Sequence, residues 1–157
     1  MKKVILDTSF LITLTDKARE HHDTACRYWE HFIEHNIAMY IPTIVVSEYH
    51  IKGPIPNYVY NQCILAPFNL DDAQAAAELG PLLAQRTSGE PRVCLKDDLK
   101  IIAQALVLGA EFTICDDHET FHKYVGRAAQ HASSRLRSLV LKEGFKSTNR
   151  QLEFAAT

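Results

Sequence analysis

Short apolar segments alternate with longer amphipathic segments along this chain, and that alternation is the feature that most restricts its fold. Five segments have the length and apolar content of strands: 3–7, 38–41, 64–68, 112–115 and 138–142. The segments between them are predicted to be helices, one starting near Phe10 and the others over 23–35, 43–50, 71–85, 96–108 and 118–131. Strands that alternate with helices predict an α/β fold with a largely parallel sheet.

A single domain is predicted over residues 1–157, because the length suits one domain and no linker divides the chain. Gly- and Pro-containing loops are expected at 52–57 and 87–91. No apolar run approaches the roughly 20 residues of a membrane span, and Asp7 interrupts the short run that mimics a signal peptide. The protein is therefore expected in the cytoplasm, with its four cysteines as free thiols.

Positive charge is concentrated near the C-terminus, although the formal net charge is only −2. Residues 122–150 contain seven Lys or Arg and one Glu, so this segment carries +6 and the remainder −8. Such a segment is commonly a solvated surface, but it also suits contact with a phosphate backbone. The candidates for RNA-backbone contact are Arg127, Arg135 and Arg137.

Two predicted strands end in aspartate. Asp7 directly follows Val4-Ile5-Leu6, and Asp116 and Asp117 directly follow residues 112–115. In parallel α/β sheets, ligands bind beyond the carboxyl ends of the strands. Asp in this position also commonly caps the next helix. The strand ends therefore predict either a shared acidic site or two helix caps.

Glu48 lies on the apolar side of its predicted helix. Its neighbours one turn away are Ile44, Val45 and Ile51, so the carboxylate belongs to the stripe that should face the core. A surface glutamate is the alternative interpretation.

Asp98 shows the same conflict more strongly. It heads an apolar stripe formed by Ile101, Ile102, Ala105 and Leu106. Asp97 lies nearer the border of this stripe and is a candidate helix cap. Burying a carboxylate is costly unless it is paired or bound to a metal ion. Asp98 is therefore the better candidate for a site residue.

Carboxylates at strand ends and on apolar helix faces suggest that they converge on a shared cation. Hard oxygen ligands suit Mg²⁺ or Mn²⁺. Such ions activate water and stabilise charge on a phosphodiester during in-line displacement.

Three segments resemble the PIN-domain family when they are taken in order. VILDTSFLI is similar to the family's strand that ends in Asp followed by a hydroxyl residue, and PTIVVSEYH to its Pro and Glu-bearing helix. DLKIIAQALVLGAEFTICDD is similar to its Asp-headed helix, glycine turn and Asp-ended strand. The resemblance extends over nearly the whole chain. It implies a three-layer α/β/α sandwich with a central parallel sheet of about five strands.

The resemblance also implies an activity: an Mg²⁺- or Mn²⁺-dependent ribonuclease that hydrolyses RNA with a metal-activated water. The implied acids are Asp7, Glu48, Asp98 and either Asp116 or Asp117, with Asp7, Asp98, Asp116 and Asp117 as the metal-binding candidates. The family usually shows Thr-x-Asp-x-x-Phe at the last acid, whereas this chain has CDDHETF, so the choice between the two stays open. Thr8, Ser9 and Asp97 are supporting candidates.

Partners follow from the same resemblance. Many compact bacterial members of the family, the VapC-like ribonucleases, are toxins of toxin–antitoxin pairs. A cognate antitoxin and a homodimer are therefore expected partners beside RNA, and no membrane is expected.

Two other classes of function compete with the nuclease. His31 and His35 fit the H-x-x-E-H pattern of a zinc protease, which would place two ligands one helical turn apart. A catalytically inactive PIN-fold module that binds RNA or protein is the main alternative. The sequence does not show whether the carboxylates converge in space, and so leaves this alternative open.

Overall fold

A computed structural model describes residues 1–85, 89, 92–116 and 119–148. The described residues form one five-stranded sheet, in which every neighbouring pair of strands is parallel. The strands are β1 (Lys3–Leu6), β2 (Ala38–Pro42), β3 (Cys63–Ala66), β4 (Phe112–Cys115) and β5 (Arg137–Val140). Their order across the sheet is β3-β2-β1-β4-β5. The predicted parallel sheet is confirmed.

Helices occupy the connections between the strands. They are α1 (Thr8–Thr15), α2 (His22–Glu34), α3 (Thr43–His50), α4 (Asn57–Tyr60), α5 (Leu70–Glu78), α6 (Arg92–Val107) and α7 (Glu119–His131). Two short 3₁₀ segments lie at Gly80–Gln85 and Leu141–Glu143.

Two differences from the sequence-based prediction have local causes. The helix expected over 71–85 ends at Glu78 and gives way to the 3₁₀ segment. Gly80 and Pro81 explain the break, because proline removes a backbone donor and its ring clashes with the preceding turn. The short helix α4 was not predicted, since four residues are too few for a periodic pattern.

The helices form two layers around the sheet. Helices α5, α6 and α7 pack in sequence against one another, while α1 packs against α2 and α3. Right-handed crossovers that run in opposite directions across a parallel sheet place their helices on opposite faces. The central strands β1 and β4 are accordingly buried, and the three-layer α/β/α sandwich is confirmed.

The connections reverse direction between β1 and β4. From β1 the chain moves to β2 and β3 on one side, whereas β4 and β5 lie on the other side. A crevice forms beyond the carboxyl ends of the strands at such a switch point. The Asp7 amide donates to the Ile114 carbonyl at 3.0 Å, so β1 and β4 remain paired up to this crevice.

Among the helices of the described ranges, none combines the length and the apolar character that a membrane span requires.

Gly109 and Gly126 provide a matched pair of backbone predictions. Gly109 ends α6 with φ +61°, a left-handed conformation that L side chains adopt at a cost of roughly 1–2 kcal/mol. Gly126 lies inside α7 with open space around its Cα. We expect Gly109→Ala to lower the free energy of unfolding by about 1 kcal/mol and Gly126→Ala to raise it by about 0.5–1 kcal/mol. Urea denaturation of both variants measures this, and shifts of the same sign would contradict it.

Candidate active site at the carboxyl edge of the sheet

Asp7 is fixed at the point where β1 becomes α1. It is the N-cap of α1 and is only 7% exposed. Its carboxylate accepts hydrogen bonds from the Ser9 amide at 3.0 Å and the Ser9 hydroxyl at 2.5 Å. The Ser9 hydroxyl oxygen also accepts from the Asp116 amide at 3.0 Å. Ser9 thus links the ends of the two strands that flank the crevice.

Glu48 reaches the same region from α3. The Thr8 hydroxyl donates to the Glu48 carboxylate, so the first residue of α1 contacts the glutamate directly. The hydroxyl of Thr15, at the end of α1, lies 2.7 Å from that of Tyr49, the residue next to Glu48 in α3. Glu48 is half-buried. Of its three apolar neighbours on the helix, Val45 is buried, Ile44 is half-buried and Ile51 is exposed, so the stripe faces the core only in part.

Asp98 comes from the opposite helical layer, on α6, and is 8% exposed. Burial, followed by the charges of Asp7, Glu48 and Asp97 in that order, raises the pKa of this carboxyl group to about 8. Charges interact strongly only at short range in a protein. Asp7 and Glu48 therefore act electrostatically on Asp98, although the three residues are far apart in sequence.

Asp97 has a different environment, despite being the adjacent residue. Its side chain is 35% exposed and forms a 2.9 Å ion pair with Lys100. The structure thus places Asp97 at the border of the region around Asp7, Glu48 and Asp98, which is called the acidic region below.

Asp116 ends β4, but its carboxylate is held by protein donors. It accepts from the Thr13 hydroxyl at 2.7 Å and from Arg19 at 3.3 Å, and it lies 2.5 Å from Nδ1 of His21. Burial alone would raise the pKa of Asp116, but the hydrogen bonds from Thr13, His21 and Arg19 outweigh it and lower the pKa. Asp116 is therefore an ionised carboxylate in a polar cluster. Asp117 lies outside the described residues.

Asp7, Glu48 and Asp98 supply only oxygen donors, which is the chemistry that Mg²⁺ and Mn²⁺ prefer. Within the described ranges, however, no three His, Cys, Asp or Glu side chains are grouped closely enough to hold a metal ion. The donor set fits a hard divalent cation by its chemistry, and a tight ligand cage is not seen around it.

Two of the three candidate arginines, Arg135 and Arg137, lie away from these acids. Arg135 and Arg137 are at the amino end of β5, where they line an open pocket of about 230 Å³ with Lys2 and Phe112. Asp7 follows the carboxyl end of β1, so the acidic region and these two arginines are at opposite ends of the strands. Arg127 is on α7, where it donates to the Gln85 carbonyl at 3.3 Å.

The histidines of the zinc-protease alternative lie in a packed environment. The His31 ring is 7% exposed, stacks on His35 with centroids 4.1 Å apart, and shares a 2.9 Å hydrogen bond with Thr148. Burial, followed by the charge of His35, lowers the pKa of His31. Because no metal-binding group of three is found among the described residues, the pair has no third zinc ligand there.

Sequence reasoning missed Thr13, Arg19 and His21 as residues of the site. Thr13 is buried in α1, and the other two lie in the turn that follows it. Their contacts with Asp116 span about a hundred residues of sequence, as in the 103-residue separation from Thr13. No local periodicity marks such contacts.

Comparison with solved structures identifies the fold. One chain of VapBC2 from Rickettsia felis, bound to a DNA fragment from their promoter, superposes with a TM-score of 0.62 at 15% identity, covering 88% of this chain and 98% of that one. One chain of FitAB bound to an IR36 DNA fragment gives a TM-score of 0.52 at 16% identity, covering 86% and 94%. No family model matches the sequence. No curated protein gives a significant match either. The likeness is one of fold, and it agrees with the PIN-like sandwich that the sequence implied.

Proposed function

We propose that this protein is an Mg²⁺- or Mn²⁺-dependent ribonuclease that hydrolyses phosphodiester bonds. The observation that carries the proposal is the buried Asp98 carboxyl group, brought within electrostatic range of Asp7 and Glu48 beside the crevice between β1 and β4. A fold gains nothing in stability from crowding like charges at a buried position. A cation bound among these carboxylates would offset that cost, and this supports a functional role for the arrangement.

Asp7, Glu48 and Asp98 are the residues that would hold the ion. A bound divalent ion supplies the positive charge that polarises water and stabilises the charge developing on phosphate. The protein contributes by orienting the ligands. The Ser9 amide and hydroxyl fix the Asp7 carboxylate, and the Thr8 hydroxyl fixes that of Glu48. Hydrogen bonds of this kind orient metal ligands and tune the affinity of a site.

A toxin of a toxin–antitoxin pair is the biological role we propose. The similar solved structures, VapBC2 and FitAB, are toxin–antitoxin complexes bound to DNA. This chain carries exposed apolar side chains on its edge strand β3, namely Ile64 and Leu65, and at Ile51 and Leu70. Exposed apolar surface is a common feature of protein–protein contacts. These side chains support a protein partner, an antitoxin or a second copy of the chain.

A catalytically inactive PIN-fold module is the second candidate. The observation that favours it is that the acids do not form a ready ligand cage among the described residues. Such a module would bind RNA or protein without turnover.

Cleavage of a panel of structured and single-stranded RNAs separates these candidates. We expect cleavage with Mg²⁺ or Mn²⁺ and none with EDTA, because the carboxylates alone provide no positive charge to activate water or to stabilise the charge that develops on phosphate. Restoring excess Mn²⁺ after EDTA should restore the rate. RNA binding with no cleavage under any of these ions, and no Mn²⁺ binding by calorimetry, would contradict the nuclease and favour the inactive module.

A further inference from the structure

An open depression of about 330 Å³ lies beside the acids, and nothing in the proposed chemistry uses it. It is lined by Ala18, Arg19, Glu20, His21 and Asp116. Asp116 and Asp7 end the neighbouring strands β4 and β1, which are about 4.8 Å apart in a sheet. The Ser9 hydroxyl contacts both residues. The depression is therefore adjacent to the acidic region and on the same edge of the sheet.

The contact with Asp116 determines what His21 offers to a ligand. The ionised Asp116 carboxylate is only an acceptor, so the 2.5 Å contact places a proton on Nδ1 of His21. The other ring nitrogen, Nε2, is then left to form a hydrogen bond with a ligand. His21 lines the depression and its side chain is 20% exposed, so a ligand in the depression can reach the ring.

Arg19 offers hydrogen-bond donors and a positive charge to a ligand in the depression. Its contact with Asp116, at 3.3 Å, uses one terminal nitrogen, and its side chain is 44% exposed. A guanidinium has five N–H donors, so several are left to bind a phosphate in a forked geometry. Glu20 also lines the depression, so phosphate binding there depends on Arg19.

We propose that Arg19 and His21 form a ribonucleotide subsite, in which Arg19 binds a backbone phosphate and Nε2 of His21 forms a hydrogen bond with a ribose 2′-hydroxyl. The inference rests on the proposed ribonuclease function and specifies its substrate class as RNA rather than DNA. Asp116 positions both side chains through its buried carboxylate. The 2′-hydroxyl is the group by which a protein distinguishes RNA from DNA at a given position.

The test measures binding in EDTA, where cleavage does not interfere, using a fluorescent single-stranded RNA and the DNA of the same sequence. Wild type is expected to bind the RNA more tightly. His21→Ala should reduce the RNA-to-DNA affinity ratio roughly three- to tenfold, the effect of one lost hydrogen bond. His22→Ala is the control, because both ring nitrogens of His22 contact the protein, at the Thr13 carbonyl and the Cys26 thiol.

Arg19 has a separate readout, the salt dependence of RNA affinity. Arg19→Gln should reduce the slope of log affinity against log salt by about 0.7, the value for one phosphate contact on a single strand. Lys17→Gln removes an exposed cation from the same turn but not from the depression, and should leave the slope nearly unchanged. Asp116→Ala should lower the RNA-to-DNA ratio as His21→Ala does, because it removes the carboxylate that positions the imidazole.

An unchanged RNA-to-DNA ratio in His21→Ala together with an unchanged salt slope in Arg19→Gln would overturn the subsite, as would equal binding of RNA and DNA by wild type. These results would leave the metal-dependent cleavage result standing. Conversely, a nuclease proposal that failed in the cleavage assay would not alter the binding ratios. The two proposals therefore fail separately.

Discussion

Asp98→Asn is expected to lower the rate of RNA cleavage roughly a hundredfold or more, the usual effect of losing one group that stabilises transition-state charge. The substitution keeps the size of the side chain but removes the charge that binds the cation. Because the Asp98 side chain is buried, water cannot replace the lost ligand. Cleavage rates at saturating Mn²⁺, measured beside Mn²⁺ affinity by calorimetry, test this expectation.

Asp97→Asn is the matched control for that variant. It changes the adjacent residue of the same helix by the same substitution, but Asp97 is partly exposed and paired with Lys100. We expect its rate to stay within a few-fold of wild type, as the loss of a surface ion pair has little effect. Equal rates for Asp98→Asn and wild type would reject the assignment of the site. Equal losses for both variants would show that the helix, rather than the Asp98 carboxylate, is responsible.

Asp98→Asn is also expected to stabilise the metal-free protein at neutral pH, although it lowers the rate of cleavage. The pKa of Asp98 is raised from an ordinary value of 3.8 to about 8 in the folded state. Between these values the unfolded chain has lost its proton while the folded chain retains it, so stability falls as pH rises, by about 1.4 kcal/mol per pH unit. The melting temperature of metal-free wild type should therefore drop on the order of 5–10 °C between about pH 5 and pH 7.

The asparagine side chain does not titrate, so the Asp98→Asn variant should lose this part of the pH dependence and be the more stable protein at neutral pH. Thermal melts of both proteins in EDTA across this range isolate the effect, because all other titrating groups are shared. Mg²⁺ should restore wild type more at pH 8 than at pH 5. Parallel pH profiles for the two proteins would show that Asp98 ionises freely and that the acids are not crowded.

Much of the fold follows from local sequence patterns. Each of the five strands appears within two residues of its predicted start, because short apolar runs bounded by turns admit few other structures. The order of the strands did not follow from these patterns. The strand order depends on the connection that returns the chain from β3 to pair β4 with β1. Packing between distant segments decides that connection.

The residues of the candidate site also divide into those that a local sequence pattern marks and those that it does not. Asp98 and Glu48 were identifiable because each interrupts an apolar helical stripe, a conflict visible within one turn of sequence. The cluster of Thr13, Arg19 and His21 around Asp116 gave no such signal, since an exposed turn and a small buried hydroxyl have no periodic pattern. The chemical assignment of the acids, their metal and their substrate remain predictions for the experiments above.

The strand order also has a consequence for the time at which the protein could become active. Asp7 is synthesised about a hundred residues before the β4 strand that completes its crevice. Pairing across so long a loop is slow compared with the formation of local structure. A nascent chain would thus carry its first acids without a working arrangement of them. A nuclease built in this order would be inactive toward the messenger and ribosome that produce it until β4 has been made and has paired with β1.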